Sequence, residues 1–404
     1  MLIGIIGGGA AGMMAAIQSR KCNAEIQIFD ANTDLGRKLS ATGAGRCNIS
    51  NQHANAKAYF TDDGHALGTC FEAIPNAKVL QALEEIGIPS AASEDGWVYP
   101  LSYSAANVVD ILVNNLQGIS LFHNTLITDI QKQGNGFLLF PSDRSKPHPV
   151  DKLIVTCGSP ANPQLGARGE LYKALEDMGH RILPVRPALT PIETDPLPFH
   201  KLQGVRLDAE VHLLHGEQEI AATVGNIIIT QWGLNGPGVM DISHFLDPQK
   251  SEEYSLRINF APRCADGLRS ALANPALQNL SPTTLLKGYF PAKIVDFFLK
   301  QTGLGQVNAC HTLTPQQKEL LLKATRDQRL RVKGVRGFKF AQASVGGIPL
   351  AEVDPSTMES RICPGLFFAG EILNVLGPCG GFNLHWAFLS ALLAAHGVQS
   401  AITS

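Results

Sequence analysis

The stretch from Leu2 to Asp30 constrains the fold of this chain more than any other. It reads LIGIIGGGAAGMMAAIQSRKCNAEIQIFD. Leu2 to Ile6 is a short apolar run, the length of a buried parallel strand. Gly7, Gly9 and Gly12 then give G-x-G-x-x-G, and Met13 to Arg20, free of Gly and Pro, predicts a helix. Glu25 to Phe29 predicts a second strand, closed by Asp30. Each part has a physical task at a dinucleotide. Gly7 permits the tight turn, Gly9 lets a pyrophosphate approach the backbone, and Gly12 lets helix and sheet pack closely. The helix N-terminus presents N–H groups and its positive dipole end. An acid about 20 residues on is placed for the ribose hydroxyls.

The rest of the composition narrows the class. A chain of 404 residues, 45% hydrophobic and 17% charged, can bury a large core and suits two or three domains. A net charge of −2 without long charged blocks argues against nucleic acid or an anionic membrane as main partner. The eight cysteines contain no C-x-x-C pair, so neither a zinc spacing nor a dithiol motif is present, and reduced thiols in a cytoplasm are expected. The N-terminus has no basic leader, and no run of about 18 apolar residues suggests a membrane span.

Beyond Asp30, the span from Gly36 to Asn51 (GRKLSATGAGRCNISN) mixes cations and glycines in a way suited to an anion. Helices are expected over Lys78 to Gly87 and Ser104 to Gln117. Strands are expected at the end of Glu94 to Pro100, and over Ile119 to Phe122, Leu126 to Lys132 and Gly136 to Phe140. Pro141 to Pro149 reads as a loop. Lys152 to Thr156 reads as a buried strand ending at Cys157-Gly158-Ser159, the kind of edge where α/β sheets bind ligands. Pro184, Pro187, Pro191, Pro196 and Pro198 cluster at a crossover into a second domain. There Val205 to Leu214, Glu219 to Val224 and Ile227 to Thr230 read as strands, and Ser281 to Thr325 as largely helical. The glycine loop Gln231 to Gly238 lacks a following strand–helix–strand unit, so it is not read as a second nucleotide site. Leu366 to Phe368 reads as a strand ending in Gly370-Glu371, and Leu384 to Ala395 as a helix behind Gly380-Gly381.

Taken together, GGGAAG with Asp30, GRKLSATGAGRCNISN, LNGPGVMDIS, MESRICPGLFFAGE and GPCGGFNLHWAF resemble the bacterial FAD-containing flavoproteins called BaiN-like or aminoacetone-oxidase-family oxidoreductases. The resemblance implies an α/β, Rossmann-like FAD-binding domain built from both chain ends, residues 1–186 and 336–404. An inserted β-barrel-like domain, residues 187–335, would carry a small helical subdomain at about 265–328. It implies that Gly7, Gly9, Ala10, Ala11 and Gly12 hold the pyrophosphate, and that Asp30 with Ala31 meets the adenosine ribose. Arg37, Lys38, Gly43, Gly45, Arg46, Cys47 and Asn48 would lie along the pyrophosphate and flavin. Cys157 and Gly158, and then Gly370 and Glu371, would approach the ribitol or pyrophosphate. Gly380, Gly381, Phe382 and Asn383 would sit at the pyrimidine edge of the flavin. Relatives often carry an Asp near the position of Asn374, and an A-T-G-G-like turn where this chain has Thr156-Cys157-Gly158.

The activity so implied is an FAD-dependent oxidoreductase on a small organic substrate, with NAD(P)H as a transient donor because no second glycine motif offers it a domain. An amine oxidase using O2, a flavin-dependent RNA-modifying enzyme and a non-enzymatic FAD protein are the alternatives. No catalytic acid or base is assigned. His385, Tyr99, Tyr103, His244, Arg336 and Lys339 are positions to examine, and no metal ligand set stands out. The substrate and oligomeric state are not given by the sequence.

Overall fold

The computed structural model describes residues 1–166, 168–195 and 199–403. Pro196 and Pro198 of the proline cluster lie outside them. The chain divides into two compact units: Met1–Pro187 with Ala341–Ser404, and Ala188–Phe340.

The first unit is organised by a five-stranded parallel sheet in the order Leu366–Phe368, Lys152–Val155, Leu2–Ile6, Glu25–Phe29, Ser120–Phe122. Its strands are apolar on both faces because helices cover one and the antiparallel sheet that includes His148–Val150 packs on the other, with Val150 against Gly4 and His148 against Phe29 and Phe122. Register matters more than composition here. Ile6 pairs with Phe29 and Val155, and Val155 with Phe368. The carboxyl ends are therefore level, and Gly7, Asp30, Thr156 and Ala369 leave the sheet along one edge. The chain turns one way from Leu2–Ile6 to Glu25–Phe29 and the other way to Lys152–Val155, which makes that edge a topological switch point.

Two helices pack at this edge. Ala10–Ser19 is buried nearly all round, with Met13, Met14 and Ala15 fully covered. The C-terminal helix, Phe382–Thr403, is apolar on every side for the same reason. It runs beyond Ala395 because Gly397 is a packing glycine: a Cβ there would stand 2.3 Å from the Thr357 carbonyl. A second difference from the sequence reading lies at His148–Val150, which is a strand and not part of a loop. Pro149 is tolerated because this strand is the edge of its three-stranded sheet.

The second unit contains a closed six-stranded barrel: Ile192–Thr194, Gly233–Asn235, Gln218–Ile229, Arg206–His215, Tyr254–Asn259 and Gln328–Val335. Glu219 to Val224 and Ile227 to Thr230, read separately from sequence, fall in one long strand that ends at Ile229, one residue short of Thr230. Gly225 does not break it. It admits the short helix Pro237–Met240, whose Gly238 Cα would lie 3.1 Å from a Cβ at Gly225. The helices Ala265–Ala273, Pro282–Lys287, Ala292–Thr302 and Pro315–Arg326 form the helical part of this unit. Pro315–Arg326 begins with a capping box between Thr314 and Gln317.

Candidate cofactor site

The glycine turn is built around contacts that leave no room for side chains. A Cβ on Gly12 would stand 1.8 Å from the Gly7 carbonyl oxygen, and one on Gly7, at φ +105°, 2.6 Å from that of Thr156. Thr156 Oγ1 donates to the carbonyls of Ile6 (2.9 Å) and Gly7 (2.8 Å), tying two neighbouring strand ends together. Gly9 differs: a Cβ there would meet nothing within 4 Å. The helix that starts after Gly9 has no side-chain cap. Its first amides therefore face open space with the dipole behind them, a cradle that suits a phosphate.

Asp30 is 9% exposed. Its Oδ2 accepts the Gly8 N–H at 2.7 Å, and its Oδ1 accepts the backbone and side-chain N–H of Asn32 at 2.8 and 2.9 Å. The carboxylate thus fixes the glycine turn while holding its place beside Ala31 at the strand end. Asn32 in turn accepts from Arg37 Nη1 at 2.9 Å, and Arg37 Nη2 donates to the Gln164 carbonyl at 3.2 Å.

Lys38 reaches across the chain. Its Nζ lies 2.5 Å from Glu371 Oε2, while Glu371 Oε1 accepts from Ser159 Oγ (2.7 Å) and Ser344 N (2.9 Å). Gly370 stands over the first helix, where its Cβ would be 3.0 Å from that of Ala11. These contacts bring the first βαβ turn, the Gly36-to-Asn51 segment and the Gly370-Glu371 turn to one place. Tyr172 belongs here as well, although nothing local in the sequence marks it. Its hydroxyl is buried without a hydrogen-bond partner, and burial, reinforced by the nearby Cys157 and Glu371, raises its pKa. Burial pushes the Cys157 thiol up to about 12, with Glu170 adding to the effect.

The turn from Gly43 to Cys47 is left-handed at Gly43, Ala44, Gly45 and Cys47. The N–H groups of Arg46 and Cys47 close the turn on the carbonyls of Gly43 and Thr42. Cys47 is fully buried, and burial raises its thiol to about 11. Asn48 is the exception in this turn. It is 7% exposed, and neither its Oδ1 nor its Nδ2 has a partner. Its Oδ1 would be 2.5 Å from a Cβ on Gly381, so the orphaned amide sits at the start of the C-terminal helix. A buried amide left without partners costs about 1–3 kcal/mol, so this one fits a ligand with polar edges. Asn383 is occupied instead: its side chain bridges the N–H (2.9 Å) and C=O (2.8 Å) of Gly377. Phe382 is buried, and its carbonyl accepts from Tyr59 OH at 2.9 Å.

Other positions singled out from sequence have scaffold contacts. Asn374 donates to Asp62 Oδ1 (2.9 Å) and accepts from Gly346 N (2.8 Å). His385 is fully buried, paired with Ser50 Oγ at 2.9 Å and stacked on Phe71; burial lowers its pKa to about 4, so it stays neutral. In the second unit His244 is buried against Phe245, and Arg336 lies between Trp232 and Phe340. Lys339 lies over the Phe340 ring there. A Ser–His–Glu arrangement also occurs in the first unit: Ser360 Oγ is 3.0 Å from His180 Nε2, and His180 Nδ1 is 2.9 Å from Glu352 Oε2. Ser360 is buried, and its oxygen already accepts from Ile362 N and Cys363 N. It is a structural hydrogen-bond chain, not a nucleophile. Among the described residues no His/Cys/Asp/Glu group gathers as metal ligands, and no helix is long and apolar enough to cross a membrane.

Residues 2–397 match the family model described as HI0933-like protein Rossmann domain. The 3-dehydro-bile acid delta(4,6)-reductase of Clostridium scindens is 33% identical over 402 residues, 97% of each chain. The ribosomal RNA dihydrouridine synthase of Escherichia coli K12 is 27% identical over 410 residues, covering 99% of this chain and 98% of that one. In fold the chain resembles the 3-ketosteroid-delta4-(5alpha)-dehydrogenase of Rhodococcus jostii RHA1, at a TM-score of 0.52 and 13% identity, covering 98% and 96%. The chain belongs to the HI0933-like Rossmann family, and it is an FAD-dependent oxidoreductase.

Proposed function

We propose that this enzyme reduces a carbon–carbon double bond conjugated to a carbonyl in a small cyclic molecule, drawing electrons from NAD(P)H that visits without a domain of its own. The observation that carries the proposal is the meeting of the uncapped glycine turn, the Lys38–Glu371 pair and the orphaned Asn48 amide around one crevice. Bound FAD would supply the two-electron carrier that such a reduction needs. The chain's residues do the rest. Gly7, Gly9 and Gly12 open the backbone to the pyrophosphate, with Ala10 and Ala11 amides facing it. Asp30 and Ala31 meet the adenosine ribose. Gly43, Gly45, Cys157, Gly158, Lys38, Gly370 and Glu371 line the path between, Cys47 is buried behind the Gly43-to-Cys47 turn, and Arg37 flanks the path. Gly380, Gly381, Phe382, Asn383 and Asn48 present the positive end of the C-terminal helix, which favours negative charge developing nearby.

Support for the reaction class comes from the relatives. One is named for removing steroid double bonds next to a 3-oxo group, and the other for saturating uridine. Both names describe an unsaturated ring beside a carbonyl. The ribosomal RNA dihydrouridine synthase gives the second reading, a uracil ring within RNA. The test is anaerobic. The purified protein is expected to be yellow, to bleach with NADPH or NADH, and to recover colour on adding 3-oxochol-4-en-24-oate. Recovery with a uridine-containing RNA and not with the steroid would select the second reading. A colourless protein that takes up no added FAD would sink both.

A further inference from the structure

The strand Trp97–Pro100 pairs with Ser50–Asn51, with Asn51 opposite Trp97, and therefore stands beside the start of the C-terminal helix. Trp97 closes on Gly380: a Cβ there would be 3.0 Å from the indole nitrogen, and Asn51 Nδ2 donates to the Gly380 carbonyl at 2.9 Å. Strand alternation puts Tyr99 on the same face as Trp97. Tyr99 stacks on Tyr103, with ring centroids 5.3 Å apart and planes 27° from parallel.

Tyr103 is 53% exposed and the neighbouring Leu101 is 59% exposed. Tyr103 also has left-handed backbone at φ +47°. That conformation costs a non-glycine residue roughly 1 kcal/mol. The turn that Tyr103 N–H closes on the Pro100 carbonyl at 2.9 Å holds this conformation. The same turn presents the Tyr103 ring half in solvent beside the start of the C-terminal helix, where a flat ligand can lie on it. Arg46 completes the surface. Its guanidinium lies 5.6 Å from the Tyr99 ring centre, and Nε donates only to the Gly43 carbonyl at 3.3 Å. No carboxylate pairs with it among the described residues, whereas Lys38 is held by Glu371 and Arg37 by Asn32 and the Gln164 carbonyl.

We infer that Tyr103 and Arg46, backed by the buried Tyr99 (7% exposed), form a substrate shelf that selects a flat unsaturated molecule carrying a single carboxylate, its rings lying on Tyr103 and its carboxylate pairing with Arg46. The inference rests on the reductase reading for its choice of ring. One available cation matches one carboxylate, whereas a polyanion gains affinity from several phosphate contacts. The shelf starts at Gly380, so a ring lying on it is next to the helix start that the redox group would share.

The test is equilibrium dialysis of the oxidised holoenzyme, which needs no turnover. The probes are 3-oxochol-4-en-24-oate and its methyl ester, identical in ring and different in charge. The acid is expected to bind about fivefold more tightly than the ester, as for a partly exposed ion pair. Arg46→Met should erase that preference and leave the ester unchanged. Tyr103→Asn, which suits left-handed backbone and so preserves the loop, should weaken both probes about tenfold and keep their ratio. Visible flavin absorbance and thermal unfolding confirm that each variant is folded and loaded. Equal binding of acid and ester by the parent enzyme, a preference that survives Arg46→Met, no binding of either probe, or stronger competition by a uridine oligonucleotide would each overturn the shelf. Shelf-dependent binding without reduction would instead leave the shelf and overturn the reductase reading.

Discussion

Lys38 Nζ meets Glu371 Oε2 at 2.5 Å across 333 positions of sequence, and this pair joins the two chain ends that make the first unit. Both side chains are partly buried, and Glu371 is also held by Ser159 and Ser344, so the carboxylate is fixed from three sides. Converting it to an amide turns an N–H toward one of these donors. Glu371→Gln is expected to cost about 2–3 kcal/mol. Lys38→Met leaves the other two contacts and should cost only about 1 kcal/mol. Thermal unfolding of the FAD-free protein reads both, and equal losses would show that the serine contacts contribute nothing.

The glycine turn separates folding from binding. Gly12→Ala places a methyl carbon 1.8 Å from the Gly7 carbonyl oxygen, which the turn cannot relieve without opening the helix–strand junction. This variant should fail to accumulate as folded protein. Gly9 has extended backbone at φ −79° and open space around it, so Gly9→Ala should fold with its unfolding temperature nearly unchanged. It should still bind FAD at least about tenfold more weakly, because the methyl occupies the place the phosphate needs. Fluorescence quenching of added FAD measures the affinity, and unchanged affinity would mean that the cofactor does not use this turn.

The two substitutions also show what local sequence can reveal. A turn, a helix and two strands within Leu2 to Asp30 are set by neighbours in sequence, and the same holds for the helix behind Gly380-Gly381. The partners of Glu371 are not legible that way. They depend on the parallel register that levels Val155 with Phe368, a long-range outcome of packing. Tyr172 and Trp97 reach the crevice from elements with no motif of their own. The loop reading across Pro149 and the two-strand reading on either side of Gly225 differ from the structure for a related reason. Pro149 is tolerated by an edge strand, Gly225 by a helix approaching a barrel strand, and neither neighbour is visible in the residues alongside.

Acid should destabilise the first unit through His385. Burial lowers its folded pKa to about 4, against roughly 6.5 in an unfolded chain. Between those values the unfolded chain binds the extra proton, so stability rises with pH across that window. The contribution, of order 3 kcal/mol, is complete above about pH 6.5 and is lost as pH falls toward 4. His180, also lowered by burial, adds in the same direction. Urea unfolding from pH 4.5 to 7.5 should show the slope, and His385→Leu should flatten it in part. An unchanged slope would mean that His385 is not buried as a neutral ring.

Asn48 gives the sharpest separation between scaffold and ligand. Its amide makes no hydrogen bond to the protein although it is buried beside Gly381. Removing it therefore takes away no protein partner, and Asn48→Ala should leave the stability of the FAD-free protein within about 0.5 kcal/mol, or raise it slightly by relieving an unpaired polar group. With FAD present the sign reverses, because the lost hydrogen bonds are those to the ligand, and affinity should fall about tenfold. The stabilisation that FAD adds to thermal unfolding should shrink in step, since ligand binding stabilises the folded state by mass action. A loss of stability in the FAD-free protein with no change in FAD affinity would place the amide in the scaffold and remove it from the crevice.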